Sequence, residues 1–332
     1  MLNDYLIQFF DHHARRPLSV LSLLTGKKTI STLYAALVSN QLQWLNLMPT
    51  LRRDDFLRSV ARLQAAGWLR AVGPDVEITV TGARQQVASA HHHPLPSHYD
   101  FRLNVTEFAD RLFLAVQVVS EASFDNNTYV PVSSEWSVQR AIKRWYRQYG
   151  HDYQAVVTEL TDAFAAMAPA QADFLAARLV GHDFAGSAEL TSDEWGWQLL
   201  DAVGTLIHVL HRQPDHFPLL TALWGGPINP LPALGQKSLE LVNQGLDIPT
   251  VARRLRRKDS TINEHIQAAA IWGLPVNTHV LLPEALAQQL VSAWAGGAHD
   301  YRQLQALVPD ASFLQVRLAQ VACVRREQGH GD

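Results

Sequence analysis

A mainly α fold is what the sequence predicts, on three observations. Apolar residues recur at the 3.6-residue helical period along most of the chain, and the one clear strand signal is a short hairpin around Gly73-Pro74-Asp75. Charge is segregated. Residues 15–84 carry ten Lys and Arg against four Asp and Glu, a net of +6, while residues 98–235 carry eight against sixteen, a net of −8. Residues 236–332 carry ten against nine, with the cations crowded into 253–258. Finally, Gly225-Gly226-Pro227-Ile228-Asn229-Pro230-Leu231-Pro232 can be neither helix nor central strand, and so marks a boundary. The expected order is an N-terminal winged helix with a small β-hairpin (1–90), an acidic central helical bundle (98–224) and a C-terminal helix-turn-helix domain (236–328).

Each element has a local reason. Residues 17–25 read as a first helix, with Pro17 at an allowed first-turn position and Gly26 as terminator. Residues 30–40 place Ile30, Leu33, Tyr34 and Leu37 on one face. Residues 53–66 turn Phe56, Val60 and Leu63 inward, with Gly67 ending the helix. Residues 68–72 and 76–81 are strand candidates around the Gly-Pro-Asp turn. Three helices and a hairpin are the order of a winged helix. Lys27 and Lys28 fall in its first inter-helix turn, Arg52 and Arg53 at the start of the third helix, and Arg58 and Arg62 one turn apart on its outer face. These cations suit phosphate contact, or a protein surface. His91-His92-His93-Pro94-Leu95-Pro96 reads as a linker, since adjacent histidines share no helix face and have no Cys or carboxylate at ligand spacing.

The central region reads as helices over 105–124, 134–149, 151–167, 169–180, 192–211 and 217–224. The fifth carries Trp195, Leu199, Val203 and Leu206 on one side. Arg140, Lys143, Arg144 and Arg147 form one basic stripe at i, i+3, i+4, i+7. Such a stripe is the solvated side of an amphipathic helix, or a contact for phosphate or an acidic surface.

In the last hundred residues, 236–243 read as a helix, and Ile248, Val251, Ala252 and Leu255 put one apolar face on the next. A third helix starts near Ser260 and carries Ile262, Ile266 and Ala269 inward. Between the two lies Arg253, Arg254, Arg256, Arg257, Lys258. A short apolar-faced helix, a basic turn and a second amphipathic helix make a helix-turn-helix, whose second helix enters a major groove while nearby cations hold phosphates. Residues 283–294 and 312–325 add two further helices.

Several chemistries lack their residues. No G-x-x-x-x-G-K-[ST] is present, and the stretch from Gly226 to Lys237 lacks both spacing and hydroxyl, so a P-loop ATPase is not expected. No Lys is preceded two residues earlier by Asp or Glu, and there is no H-E-x-x-H, C-x-x-C or G-x-S-x-G. Cys323 falls on the inner side of a helix, where packing is its expected role. Glu194 and His208 are too isolated for an acid–base pair. The reading is a protein that is not an enzyme and takes no metal or cofactor. A single cysteine excludes an internal disulfide and suits a reducing compartment. Asp4 and Asp11 do not suit a signal peptide, and no apolar run reaches the ~18–20 residues of a membrane span. A cytoplasmic location is expected, with association with the nucleoid left open.

The spacing of the C-terminal unit is specific. From Gly245, Ala252 lies seven residues on, Thr261 nine beyond, and His265 four further. This resembles the G-x-s-x-x-x-I-A … T-I-x-x-H pattern of LuxR-type helix-turn-helix domains. It is more similar to the helicase helix-turn-helix domain at the C-terminus of some RecQ-type helicases. That domain also closes a helix-turn-helix protein family of low-GC Gram-positive bacteria encoded beside a RecQ-type helicase. Leu24-Thr25-Gly26-Lys27-Lys28-Thr29, Ile78-Thr79-Val80-Thr81-Gly82, Phe108 to Leu114, Tyr129-Val130-Pro131 and Ser312 to Leu318 resemble segments of the same family. Lys258 stands where that pattern usually has a capping Ser, so Asp259 or Ser260 is expected to cap the second helix.

The resemblance implies a DNA-binding accessory protein partnered with a RecQ-type helicase in replication or repair. The expected DNA contacts are Arg253, Arg254, Arg256, Arg257 and Lys258 on phosphates, and Ser260, Asn263, Glu264 and Gln267 facing outward. Thr261 and His265 suit backbone contact, Thr261 equally a packing or capping role, and Lys27, Lys28, Arg52, Arg53, Arg58 and Arg62 form a second basic set. Two alternatives stay open: a transcription regulator, and a protein–protein adaptor whose small domains bind no DNA.

Overall fold

The structure is a computed structural model that describes residues 1–186 and 196–329. The fold is mainly α, as expected: seventeen α-helices and one two-stranded hairpin among the described residues. In chain order the first elements are α1 (Leu2–Leu6), α2 (Pro17–Leu24), α3 (Ile30–Val38), α4 (Arg53–Ala65), β1 (Leu69–Val72), β2 (Asp75–Ile78) and α5 (Val80–His92). The middle of the chain forms α6 (Val105–Ser123), α7 (Trp136–Tyr149), α8 (Tyr153–Ala165), α9 (Pro169–Ala176), α10 (Trp197–Arg212) and α11 (Pro218–Trp224). The remainder forms α12 (Ala233–Asn243), α13 (Ile248–Leu255), α14 (Asp259–Ile271), α15 (Glu284–Ala295), α16 (Tyr301–Leu307) and α17 (Phe313–Glu327). The helix expected over 192–211 begins, with Ser192, Glu194 and Trp195, outside the described residues. No helix among the described residues is long and apolar enough to cross a membrane.

The chain divides into two compact units. One comprises residues 1–5 and 86–228, the other residues 6–85 and 229–332. The first is the helical bundle. Its core joins Phe108, Leu112 and Ala115 of α6, Ile142 and Trp145 of α7, Val203 and Leu206 of α10, and Leu220 and Leu223 of α11.

The second unit holds α2, α3, α4, the hairpin and the helix-turn-helix. β1 and β2 pair antiparallel in the register Leu69↔Ile78 to Val72↔Asp75. The two-residue turn between them has Gly73 at φ +59 as its first central residue. A third segment, missed in the sequence, joins this hairpin. The Arg15 N–H donates to the Val76 carbonyl at 3.0 Å, the Val76 N–H returns to Arg15 at 2.9 Å, and the Ile78 N–H donates to Asp11 at 2.9 Å. The C-terminal core is built from Leu241 and Val242 of α12, Val251 and Ala252 of α13, Ile262 and Ile266 of α14, and Leu314 and Leu318 of α17. Helix α14 packs against α12, α13, α17 and α3. The Arg317 guanidinium of α17 sits 3.7 Å from the Tyr34 ring of α3, and Gln328 donates to the Leu37 carbonyl at 2.7 Å. The segments read as first and last modules are thus packed within one unit.

Two expectations are corrected in this region. The chain from Val80 is helical rather than strand, because the Thr79 hydroxyl accepts the Gly82 N–H at 3.0 Å while donating to the Gly67 carbonyl at 2.7 Å. That is a cap, and it competes successfully with the β preference of Ile78-Thr79-Val80-Thr81. His91 and His92 consequently end α5 instead of belonging to a linker. Gly82 is required by close approach: a Cβ there would lie 2.0 Å from the Trp68 carbonyl oxygen. Gly82→Ala should therefore destabilise the fold by roughly 1–3 kcal/mol, where an ordinary helix position would gain about 1. A raised thermal midpoint for this variant would contradict the close approach of Gly82 to Trp68.

Candidate nucleic-acid interface

The candidate interface begins where α12 ends. Gly245, at φ +92, reverses the chain, a conformation that side chains disfavour. Asp247 then caps α13 by accepting the Thr250 N–H at 2.9 Å. Hydrogen bonds from Thr250 hold the Asp247 carboxyl below the usual carboxylate range. Pro249 follows Ile248 in the first turn of α13, where its missing N–H costs nothing.

Arg253 and Arg254, expected between the helices, lie instead in the last helical turn of α13, and the turn itself runs from Arg256 to Lys258. The Arg256 N–H donates to Arg253 at 3.2 Å and the Arg257 N–H to Ala252 at 2.9 Å. Both close a Schellman arrangement that needs a left-handed residue at its centre. That residue is Arg256, at φ +53, where glycine is the usual occupant. A cation is thus held in a conformation costing about 1 kcal/mol. Arg256→Gly should stabilise the chain by roughly 0.5–1 kcal/mol in urea unfolding while weakening DNA binding. An unchanged or lower unfolding midpoint would contradict the left-handed turn.

Arg253, Arg254, Arg256, Arg257 and Lys258 are all exposed. Arg253 is turned back onto its own helix, donating to the Thr250 hydroxyl at 2.9 Å. Among the described residues, none of Arg254, Arg256, Arg257 and Lys258 forms an ion pair; the cations that do include Arg15, Arg58, Arg70, Arg102, Arg111 and Lys237. Lys258 itself takes the N-cap position of α14, in extended conformation (φ −78, ψ 150), with no side-chain cap bond. The expectation that Asp259 or Ser260 caps the helix is corrected: the turn delivers Lys258 to that position, and both residues lie inside the helix. No side chain caps this N-terminus, and Asp259 stands in its first turn beside the four exposed cations.

The rest of α14 is less open than its sequence suggests. Ser260 and Glu264 are exposed, Thr261, Asn263 and His265 are half-buried, and Gln267 is 3% exposed. Gln267 is therefore corrected from an outward-facing contact to an inward one. The reason is non-local: α14 is covered by α17 and α3 as well as by its own motif. The His265 ring is held by Ser238, with Nδ1 2.9 Å from the hydroxyl. That hydroxyl donates its proton to the Leu234 carbonyl at 2.9 Å, so Nδ1–H is the donor to it. Burial pushes the His265 pKa below the ordinary histidine value.

Of the second basic set, Lys28 is brought to α14. It lines an open cavity of about 810 Å³ together with Ser31, Asn229, Glu264 and His265. Burial lowers its pKa. Lys27, Arg52, Arg53 and Arg62 are exposed. Arg58 is exposed but ion-paired with Asp55, which offsets its charge. The four arginines belong to α4 and its N-cap, and α4 packs against α2 and β1. Among the described residues no group of three His, Cys, Asp or Glu is placed to hold a metal ion. Cys323 is buried in α17, and burial raises its thiol pKa. A search of curated proteins and one of solved structures return no match. Residues 235–320, from within α12 to within α17, match the family model of a helix-turn-helix domain, a match that suggests DNA binding by this part of the chain.

Proposed function

We propose that the protein is a non-catalytic accessory protein that grips DNA mainly through phosphate contacts and works with a RecQ-type helicase in replication or repair. The observation that carries this reading is the turn before α14. Arg254, Arg256, Arg257 and Lys258 are exposed and, among the described residues, free of ion pairs, ahead of a helix N-terminus that no side chain caps. Phosphate is favoured over base readout because α14 exposes little beyond Asp259, Ser260 and Glu264. The helicase partner is supported by the resemblance of the Gly245–His265 spacing to helicase-linked domains.

Gel-shift titration on duplex, forked and single-stranded DNA at two salt concentrations, with and without a RecQ-type helicase, tests the reading. Unrelated duplexes should bind alike, with affinity falling steeply as salt rises. Affinity indifferent to salt would sink it. A second reading, the adaptor, is favoured by one observation: packing within the fold occupies most of α14. Retention of the helicase after DNA digestion, undiminished by loss of the basic turn, would support that reading instead.

A further inference from the structure

We propose that the exposed face of α7 is a second nucleic-acid site, taking single-stranded DNA by stacking a base on Trp136 and holding the backbone on Arg140, Lys143, Arg144 and Arg147. The helical bundle that carries α7 is acidic, yet residues 136–151 contain no Asp or Glu. Trp136 and the four cations fall at i, i+4, i+7, i+8, i+11, a single face at the helical period. The roll of the helix is fixed from the other side. Val138, Ile142 and Trp145 are buried in the bundle core, and the Trp145 indole donates to the Leu219 carbonyl at 2.9 Å. The basic face is therefore turned to solvent, and all four cations are exposed.

Two features separate this stripe from an ordinary solvated helix face. Its cations form no ion pair among the described residues, whereas Arg102 and Arg111 of the same unit are paired with Asp100 and Glu107. It also begins with a tryptophan that is 69% exposed and carries the Arg140 guanidinium at 5.3 Å from its ring. A cation beside an open aromatic face is the pairing that holds an unstacked base and its phosphate together. From Trp136 to Arg147 the helix rises about 16 Å, room for a few nucleotides of extended strand. Duplex DNA keeps its base faces stacked and offers the indole nothing, so the strand is single. The site belongs wholly to the helical bundle and does not depend on the basic turn before α14.

The test uses the full chain, a fluorescent oligothymidylate and an unrelated duplex. Trp136→Ala should weaken oligothymidylate binding about tenfold, the loss of one stacked base, and leave duplex affinity within about twofold. Trp136→Phe should restore most of it. Arg140→Gln, Arg144→Gln and Arg147→Gln together should weaken it further and flatten its salt slope by about 2. These positions are exposed, and an unchanged melting temperature verifies the fold. Unchanged oligothymidylate affinity in both variants would overturn the proposal. So would a triple variant that loses polyglutamate binding while keeping oligothymidylate, which marks a docking face for an acidic protein. The Arg256, Arg257 and Lys258 alanine variant separates the two sites: if it alone loses DNA, this inference fails while the grip through the turn stands.

Discussion

Replacing Arg256, Arg257 and Lys258 together by alanine should lower the affinity of the full chain for duplex DNA about a hundredfold or more at about 50 mM salt. Each cation that neutralises a phosphate releases a condensed counterion, and this gain is largest when salt is dilute. All three side chains are exposed and, among the described residues, none is ion-paired, so their removal leaves no buried partner behind. The left-handed turn survives, because its hydrogen bonds run from backbone N–H groups of Arg256 and Arg257. Stability should therefore change little. The loss should be uniform across DNA sequences, since phosphate contacts carry no base information. A loss confined to one sequence would place base readout at the centre, as a transcription regulator requires.

Ile266→Ala should have the largest effect on stability. Ile266 is fully buried at the centre of the C-terminal core, where α12, α13, α14 and α17 meet. Truncation removes buried methyl groups and leaves a cavity, at a cost of about 2–5 kcal/mol. For a unit of this size, the melting temperature should drop by roughly 5–15 °C. DNA binding at a temperature where the variant stays folded should be nearly normal, because Ile266 lies on the side of α14 away from its exposed residues. Calorimetry and a cold gel shift together check both halves. A variant that melts like the parent would contradict the core.

The helix-turn-helix was legible because its pattern is local. Ile248, Val251, Ala252 and Leu255, then Ile262, Ile266 and Ala269, state the buried faces of both helices at their own period, and all seven are buried or packed on the core. Helix α4 and the hairpin were legible for the same reason, through Phe56, Val60 and Leu63 and the Gly-Pro-Asp turn. What could not be read is what distant segments do to each other. Gln267 lies on the face an isolated helix would expose, yet it is buried in a helix that α17 and α3 also contact. The Arg15 bridge to Val76 joins residues 61 positions apart, with no periodicity to announce it. The helix from Val80 was hidden by a β-branched run, although Thr79 three residues before Gly82 was a readable cap. Lys258 was recognised as out of pattern, but the remedy lay in the backbone: Arg256 adopts the left-handed turn and the helix begins without a side-chain cap. The basic run Arg253–Lys258 was legible from charge, but its division was not: Arg253 and Arg254 finish α13, and only Arg256 to Lys258 form the turn.

The claim that the protein holds DNA by phosphate through this turn is tested most directly by one comparison. Duplex affinity is measured from about 50 to 200 mM salt for the parent chain and for the Arg256, Arg257 and Lys258 alanine variant. A log–log slope near −4 to −5 is expected for the parent, from roughly four to six phosphates, and a slope less steep by about 2 to 3 for the variant. Equal slopes for the two proteins would contradict it.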